Sequence, residues 1–337
     1  MQPGLFDLQN RFEKLNKNGD PLMKLNKMIQ WNSFRPALEA VRAREKKSNA
    51  GAKPYDVVLM FKVLILQSLY NLSDEAIEYQ ILDRLSFMRF LGLRLGSRVP
   101  DAKTIWLFRE QLTGAGLAEE LFRQFEAVLG ESGCAARKGQ IIDASIVQAP
   151  QQRNSREENT RIKQGEIPQD WEEAKRRQKD TDAQWTKRNG KRYYGYKNHV
   201  NVDVKHKLIR TYAVTDASVH DSKVFDELLE ETNTSAEVYA DSAYRSKESI
   251  QLLQRRGFRE RLQRKSRRNR MLTKREKQGN KARAKIRSRI EHVFGVMAMM
   301  AGSLIVRTIG IIRARAKIGL RNLAYNINRY ALLATTG

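Results

Sequence analysis

The chain of 337 residues has one cysteine, Cys134, and no long apolar run. One thiol cannot form an internal disulfide or supply the cysteine clusters of zinc and haem-attachment sites. The most apolar segment, 57–70, is interrupted by Lys62 and is shorter than the roughly 20 residues that span a bilayer. The N-terminal segment lacks the basic flank and apolar core of a signal peptide. We therefore expect a soluble intracellular protein with no membrane partner.

Acidic residues are few beside basic ones. Asp and Glu number 38 and Lys and Arg number 63, which leaves a formal net charge of +25. Residues 251–290 alone hold 17 basic and 2 acidic side chains, and 301–337 hold no acid. Hydrophobic residues make up 41% of the chain, enough for a folded core. The charge predicts a polyanionic partner, because each neutralised phosphate of a nucleic acid releases condensed counterions.

The first part of the chain, 1–136, is predicted to be a helical domain. Pro54 precedes an apolar segment that is typical of a buried helix. Ser73 and Asp101 are residue types that cap helix N-termini, and each precedes a further helical segment. A DNA-binding head and an oligomerisation module both fit several short helices in a basic chain.

The second part, 137–337, changes to strand-like patterns. Strands are predicted at 140–147, in a hairpin over 194–215 that turns at 205–207, at 237–241 and at 258–262. Helices are predicted at 222–231, 246–256, 281–300 and 314–333. Residues 151–192 read as a polar insertion, part loop and part helix, and 255–289 as a basic segment. The fold class is therefore mixed, with a helical domain followed by an α/β domain around a five-stranded mixed sheet.

Three acids are candidates for chemistry in this sheet domain. If the segment after the hairpin crosses over, the strand that ends at Asp241 lies parallel to the strand that carries Asp143. Glu291 lies on the long helix after the basic segment and can face the sheet edge. Three converging carboxylates suit two Mg²⁺ ions, with Mn²⁺ as a possible substitute. Two such ions activate a hydroxyl and stabilise the leaving oxygen of an in-line phosphoryl displacement.

Six sequence blocks follow one another along the chain. They are KPYD at 53–56 with VLMFK at 58–62, PD at 100–101 with TIW and FR at 104–109, IDAS at 142–145, YGYKNH at 194–199, YADSAY at 239–244 and RSRIEHVFG at 287–295. In this order they resemble the IS5 family of bacterial insertion-sequence transposases, DDE enzymes with a ribonuclease-H-like catalytic domain. The resemblance covers nearly the whole chain. It implies that Asp143, Asp241 and Glu291 are the catalytic, metal-binding triad.

The resemblance also implies a function. Such a transposase binds double-stranded DNA at terminal inverted repeats, cleaves phosphodiester bonds at the element ends and joins the 3′-hydroxyl ends to target DNA. It acts as a homodimer or higher homo-oligomer, in the bacterial cytoplasm and in association with the nucleoid. The DNA contacts that we predict are Lys197, Arg287, His292, Lys265, Arg267, Arg268, Arg270, Lys103 and Arg109.

Two alternatives remain open from the sequence. The related insertion-sequence signature has Tyr and Lys where this chain has Ala284 and Ala298. A structure-specific nuclease of ribonuclease-H-like fold is one alternative, and a catalytically decayed DNA-binding protein is the other. Glu248 competes with Glu291 as the third acid. Asp203 and Asp216, which flank the hairpin, are expected to be solvated.

Overall fold

The computed structural model describes residues 6–42, 53–266, 270–302 and 305–336. Contacts divide the chain into two units, Met1–Leu117 with Leu323–Gly337, and Ala118–Asn322. Among the described residues no single helix is long and apolar enough to cross a membrane. Only α4 (Val57–Tyr70) and α5 (Asp74–Asp83) pass that test as a pair, with a bend of 103° between them.

The first unit is helical, as predicted. Its elements are α1 Asp7–Lys17, α2 Pro21–Met28, a 3₁₀ turn Trp31–Phe34, α3 Arg35–Ala40, α4, α5, α6 Leu85–Leu91 and α7 Ala102–Gly114. Helix α4 is buried over most of its length, which confirms the predicted buried helix. The Ser73 hydroxyl accepts a hydrogen bond from the Ala76 amide, and the Asp101 carboxylate accepts one from Thr104. Both predicted N-caps are therefore present.

The second unit is built on a mixed sheet. Its strands are β1 Gln140–Gln148, β2 Gln184–Arg188, β3 Lys191–Asp203, β4 Ile209–Asp216, β5 Glu237–Ala240 and β6 Arg259–Glu260. Strand β1 pairs antiparallel with β3 and parallel with β5, and β4 pairs with β3. The order is β2-β3-β1-β5-β6 with β4 beside β3. This confirms the prediction that the strand before Asp241, now β5, lies beside and parallel to the strand that carries Asp143, now β1.

Helices of the second unit surround this sheet. They are α8 Leu117–Glu131, α9 Arg156–Lys163, α10 Glu173–Gln178, α11 Lys247–Arg255, α12 Lys274–Ala301 and the first part of α13 Ile311–Thr336. Helix α8 belongs here because Phe122 packs edge-on against Tyr212, with ring centroids 4.8 Å apart. The contacts divide the chain after Leu117, and the domain boundary at 136 stays a prediction.

The structure corrects four local predictions. The sheet has six strands in the described residues because β2 and the start of β3 lie inside the predicted polar insertion. The predicted helix 222–231 is wrong, and only Asp221–Val224 form a 3₁₀ turn. The Leu228 carbonyl accepts from the Asn201 and Thr211 side chains instead of from a helical amide. Helix α12 begins seven residues earlier than predicted, because Thr273 and Glu276 form a capping box.

Asp203 is the fourth correction. It is fully buried, whereas the sequence predicted a solvated side chain. Its carboxylate accepts hydrogen bonds from the Arg210 guanidinium and from the backbone amides of His206 and Leu208. These donors satisfy the buried charge, so Asp203 holds the β3–β4 turn in place.

Candidate active site

Two neighbouring parallel strands bring the first two acids together. In the β1–β5 register Ile142 lies opposite Ala240, so Asp143 and Asp241 occupy the next positions at the carboxyl end of β5. Paired strands lie about 4.8 Å apart. The Asp241 carboxylate also caps the 3₁₀ turn Ser242–Tyr244 by accepting from the Ala243 amide at 2.8 Å. The backbone therefore places these carboxylates side by side although they are far apart in sequence.

Asp143 is nearly buried and carries a shifted pKa. Burial raises the pKa of Asp143 to about 6, and the nearby Asp241 charge raises it further. The Ala144 amide, which donates to Oδ1 at 2.8 Å, opposes this shift, as do the Arg287 and Arg188 charges. A partly buried carboxylate beside a second carboxylate is a costly arrangement unless a cation compensates it.

Arg287 supplies a compensating cation. One guanidinium nitrogen donates to Asp143 Oδ2 at 2.7 Å, and another lies 3.4 Å from Glu291 Oε1. Arg287 and Glu291 are one turn apart on α12, whose buried face includes Ile290 and Val293. The helix therefore brings Glu291 to the same guanidinium as Asp143, although the Glu291 side chain itself is 64% exposed.

A buried tyrosine hydroxyl near the acids has an unsatisfied hydrogen-bonding capacity among the described residues. Tyr244 is fully buried beside Phe225, and its hydroxyl has no hydrogen-bond partner among the described residues. Its pKa is raised well above the usual value by burial and by the charges of Asp221, Asp143 and Asp241. A buried hydroxyl near several carboxylates and without a partner among the described residues can donate a hydrogen bond to a group that binds at this site.

The acids do not form a closed metal cage in this structure. Within the described residues no group of three or more His, Cys, Asp or Glu side chains is placed to hold a metal ion. The donor set nevertheless suits a hard divalent ion, because Asp143, Asp241 and Glu291 offer only carboxylate oxygens. Arg287 neutralises part of that charge.

Two residues of the YGYKNH block, the predicted DNA contact Lys197 and its neighbour His199, are engaged in internal contacts. The Lys197 ammonium donates to Asp221 at 2.8 Å and to the Val219 carbonyl at 2.6 Å, with 12% of its side chain exposed. It therefore fixes the segment after β4, and its predicted phosphate contact, which stays a prediction, would require this pair to open. His199 is buried, and its Nε2 atom lies 3.0 Å from the Thr215 hydroxyl. Burial lowers the pKa of His199 to about 4, so the ring is neutral.

The other predicted DNA contacts divide into exposed and paired residues. Lys265, Arg270, His292 and Lys103 are exposed, and Arg270 also reaches Glu276 at 3.2 Å. Arg267 and Arg268 lie outside the described residues. Arg109 makes a bidentate ion pair with Asp74, at 2.5 and 2.7 Å, and lies 3.2 Å from Gln67. This pair ties α7 to α5, so Arg109 serves helix packing in this structure, and its predicted DNA contact stays a prediction.

One cation near the site escaped the sequence analysis. The Arg188 guanidinium lies 3.4 Å from the Ala144 carbonyl and lowers the pKa of Asp143. Arg188 is the last residue of β2, within the segment that we predicted to be an insertion without strands. The dipeptide Asn189-Gly190 between two strand-like segments is a strong hairpin signal and would have revealed it.

Comparison with known proteins found two matching family models and one similar solved structure. Residues 135–327 match the family model described as "Transposase DDE domain", and residues 10–111 match "Transposase domain (DUF772)". A solved structure titled "Cryo-EM structure of piggyBac transposase synaptic complex with hairpin DNA (SNHP)" is similar over 94% of this chain and 76% of its own chain, with a TM-score of 0.48 and 10% identity.

The family match covers more than half of the chain and includes β1, β5 and α12, the three elements that carry the candidate acids. The chain therefore belongs to the transposases with a DDE domain, enzymes that cleave DNA and transfer its strands.

Proposed function

We propose that this transposase cuts at the terminal inverted repeats of its own insertion sequence and joins the freed 3′-hydroxyl ends to target DNA. We further propose that it belongs to the IS5 group. The observation that carries the proposal is the adjacent placement of Asp143 and Asp241, with Arg287 linking Asp143 to Glu291. Acids brought together from three separate elements are what phosphoryl transfer by positioning and charge neutralisation needs.

Asp143, Asp241 and Glu291 are proposed to hold two divalent ions, Mg²⁺ or Mn²⁺. When bound, such ions activate a hydroxyl nucleophile and stabilise the leaving oxygen. The residues fit this role because all three offer carboxylate oxygens and because the Tyr244 hydroxyl beside them lacks a partner. The Arg287 charge lowers the pKa of Asp143, and its guanidinium contacts both Asp143 and Glu291, so a bound ion would displace these contacts.

The proposed partner is double-stranded DNA, both the element ends and the target. Exposed Lys265 and Arg270 lie before α12, in the segment that carries much of the net charge, and Arg287 and His292 lie on α12. Contacts of this kind bind the phosphate backbone and position DNA without reading its sequence. Lys103, exposed on α7, is the candidate in the helical unit. Two ends must be joined in one complex, so we propose a homodimer or higher assembly on DNA.

The test is a cleavage and strand-transfer assay with labelled DNA from the ends of the element, in Mg²⁺ and in Mn²⁺. Asp143→Ala, Asp241→Ala and Glu291→Ala should each lower product formation by at least about 100-fold and leave DNA binding intact. Glu248→Ala is the matched control, because Glu248 is an exposed acid on α11 and should retain activity.

Other outcomes would redirect the assignment. Cleavage without products joined to target DNA would indicate a nuclease. DNA binding without cleavage in any divalent metal would indicate a decayed transposase. Activity that survives Glu291→Ala but not Glu248→Ala would make Glu248 the third acid. Short inverted repeats and a flanking direct duplication around the gene would support the proposed function independently.

A further inference from the structure

Strands β2 and β3 extend beyond the main sheet as a two-stranded ribbon, defined here as Gln184–Arg188 and Lys191–Gly195. The two arms pair antiparallel, from Gln184 opposite Gly195 to Arg188 opposite Lys191. Asn189 and Gly190 form the tip with φ values of 50° and 79°. A two-residue hairpin loop with two positive φ angles matches the right-handed twist of its arms.

The base of the ribbon is anchored. The Trp185 ring packs on the buried Tyr194 ring with centroids 5.2 Å apart. The Tyr194 hydroxyl donates to the Asp180 carbonyl at 2.7 Å, and Tyr196 on the same strand donates to the buried Asp180 carboxylate at 2.7 Å. These contacts give the ribbon a defined direction instead of leaving it as a loose loop.

The ribbon bends toward the catalytic acids at Gly195. This residue has a φ of +146°, and a Cβ atom there would lie 2.3 Å from the Val147 carbonyl oxygen. The far end of the ribbon consequently reaches back along β1, where the Arg188 guanidinium lies 3.4 Å from the Ala144 carbonyl, one residue after Asp143. A basic tip is thus held beside the acid on β1.

The like charges at the tip of the ribbon destabilise the folded hairpin. Lys187 lies directly opposite Arg192, and Arg188 lies directly opposite Lys191. All four side chains are exposed. Like charges in directly opposed cross-strand positions destabilise a hairpin. A local choice that conflicts with the fold is expected where function requires it. Because strand side chains alternate between the two faces, Lys187 and Arg192 share one face of the ribbon, and Arg188 and Lys191 share the other. The tip therefore offers a pair of cations on each face to a polyanion.

We propose that this ribbon is a phosphate-binding clamp that holds the DNA backbone beside the scissile bond. The inference rests on the proposed function, since it names a DNA contact of the same site. The two cation pairs, one on each face of the ribbon, bind phosphates without reading bases, and the pair that includes Arg188 lies on the face closest to Asp143. DNA relieves the repulsion between the cross-strand pairs, so the free ribbon is under electrostatic strain that binding removes.

The experiment measures binding of a labelled 30-base-pair duplex of arbitrary sequence across a series of salt concentrations, using the full chain. The test variant combines Lys187→Gln, Lys191→Gln and Arg192→Gln, and it spares Arg188 because of its contact near Asp143. The matched control combines Lys163→Gln, Arg176→Gln and Arg177→Gln, three exposed cations among the acids of α9 and α10. Both variants remove the same charge from the same unit.

The slope of log affinity against log salt concentration is the quantity compared. We expect this slope to be smaller in magnitude by about 2 to 3 in the test variant than in the wild type, because each phosphate contact contributes about 0.9 to it. The control should keep the wild-type slope. The melting temperature of the test variant should equal or exceed that of the wild type, because the repulsion is relieved.

Equal slopes for the test variant and the wild type would overturn the clamp, as would equal slope losses in both variants. Aggregation of the test variant at an unchanged slope would show that the cations protect an edge strand instead. A lowered melting temperature would overturn the strain argument.

If the wild type fails to cleave or join DNA while the slope difference is present, the proposed function fails and the clamp stands. If cleavage and joining occur without the slope difference, only the clamp fails.

Discussion

At the scale of single residues, Arg287 decides the electrostatics of the site. Its guanidinium donates to Asp143 at 2.7 Å and lies near Glu291. A divalent ion at these carboxylates has to compete with that cation. The same side chain is a candidate for binding a DNA phosphate once it leaves Asp143. We therefore expect Arg287 to oppose metal binding in the free protein and to support DNA binding in the complex.

Arg287→Gln should tighten Mn²⁺ binding to the DNA-free protein by about 3- to 10-fold, because removing a nearby positive charge is worth about 1 kcal/mol at a partly exposed site. Isothermal titration of Mn²⁺ measures the change. Arg289→Gln is the matched control on the same helix, because Arg289 donates to the Val204 carbonyl and not to an acid. Weaker Mn²⁺ binding by Arg287→Gln would show that Arg287 instead organises the metal site.

Glu126 is a second residue with unusual electrostatics, away from the catalytic acids. It pairs with Arg210, which also pairs with the buried Asp203. One Glu126 oxygen is buried without a hydrogen-bond partner. Burial raises the pKa of Glu126 to about 7, although Arg210 opposes the shift. The folded protein therefore prefers the protonated form more strongly than the unfolded chain does.

This preference predicts a pH-dependent effect of Glu126→Gln. Because the folded-state pKa is raised, the stability associated with the protonated acid is complete below about pH 4.5 and is lost as the pH rises through 7. Glutamine cannot ionise, so the variant should gain about 1 to 3 kcal/mol relative to the wild type between pH 5 and pH 8. Urea unfolding at both pH values measures this, and a difference independent of pH would contradict it.

At the scale of secondary-structure elements, the β3 bend at Gly195 places the ribbon. The glycine combines a positive φ with backbone atoms closer than any Cβ allows. Gly190 at the ribbon tip also has a positive φ, of 79°, but nothing lies within 4 Å of a Cβ there. Substitution of Gly190 therefore tests the cost of a positive φ alone, whereas substitution of Gly195 adds the cost of a clash with the backbone of β1.

Gly195→Ala should lower the free energy of unfolding by about 2 to 4 kcal/mol, since the backbone of β1 has to move. Gly190→Ala should cost about 1 kcal/mol, the penalty for a left-handed conformation with a Cβ. Chemical denaturation of both variants compares them. Equal losses would mean that β1 adjusts without cost and that the bend does not depend on glycine.

At the scale of the whole molecule, net charge governs interaction with DNA. The formal charge of +25 comes with 17 basic residues concentrated in 251–290. Helix α12 carries part of this segment directly to the catalytic acids, since Arg287 lies on it. A site beside such a charge density attracts phosphate at long range and binds it through released counterions.

The charge predicts that affinity for duplex DNA of arbitrary sequence falls by about 1,000-fold or more between 50 and 200 mM salt, as for a protein with six or more phosphate contacts. Fluorescence anisotropy with a labelled duplex measures the affinity at each salt concentration. A decrease below about tenfold would mean that few of the cations contact DNA.

The sequence by itself determined the helix caps at Ser73 and Asp101, the buried helix α4, the parallel pairing of β1 with β5, and membership of the DDE transposases. These depend on local spacing and on residue chemistry, which a linear pattern retains. It missed β2 because the short polar arms of the ribbon have little apolar alternation, even though Asn189-Gly190 marked the turn. The sequence also predicted a helix over 222–231, but in the structure the Leu228 carbonyl accepts hydrogen bonds from side chains of β3 and β4 instead of from a helical amide.

Only the tertiary structure decided which charged groups are available for chemistry. Lys197 and Arg109 are residue types that bind DNA phosphates, yet each forms an ion pair with an acid that lies elsewhere in the sequence. Asp203 looks like a surface acid and is buried beneath Arg210. Arg188 lies outside every recognised block and reaches the neighbour of Asp143. The electrostatic role of a side chain depends on distances across the fold, and these distances are set by packing and strand register.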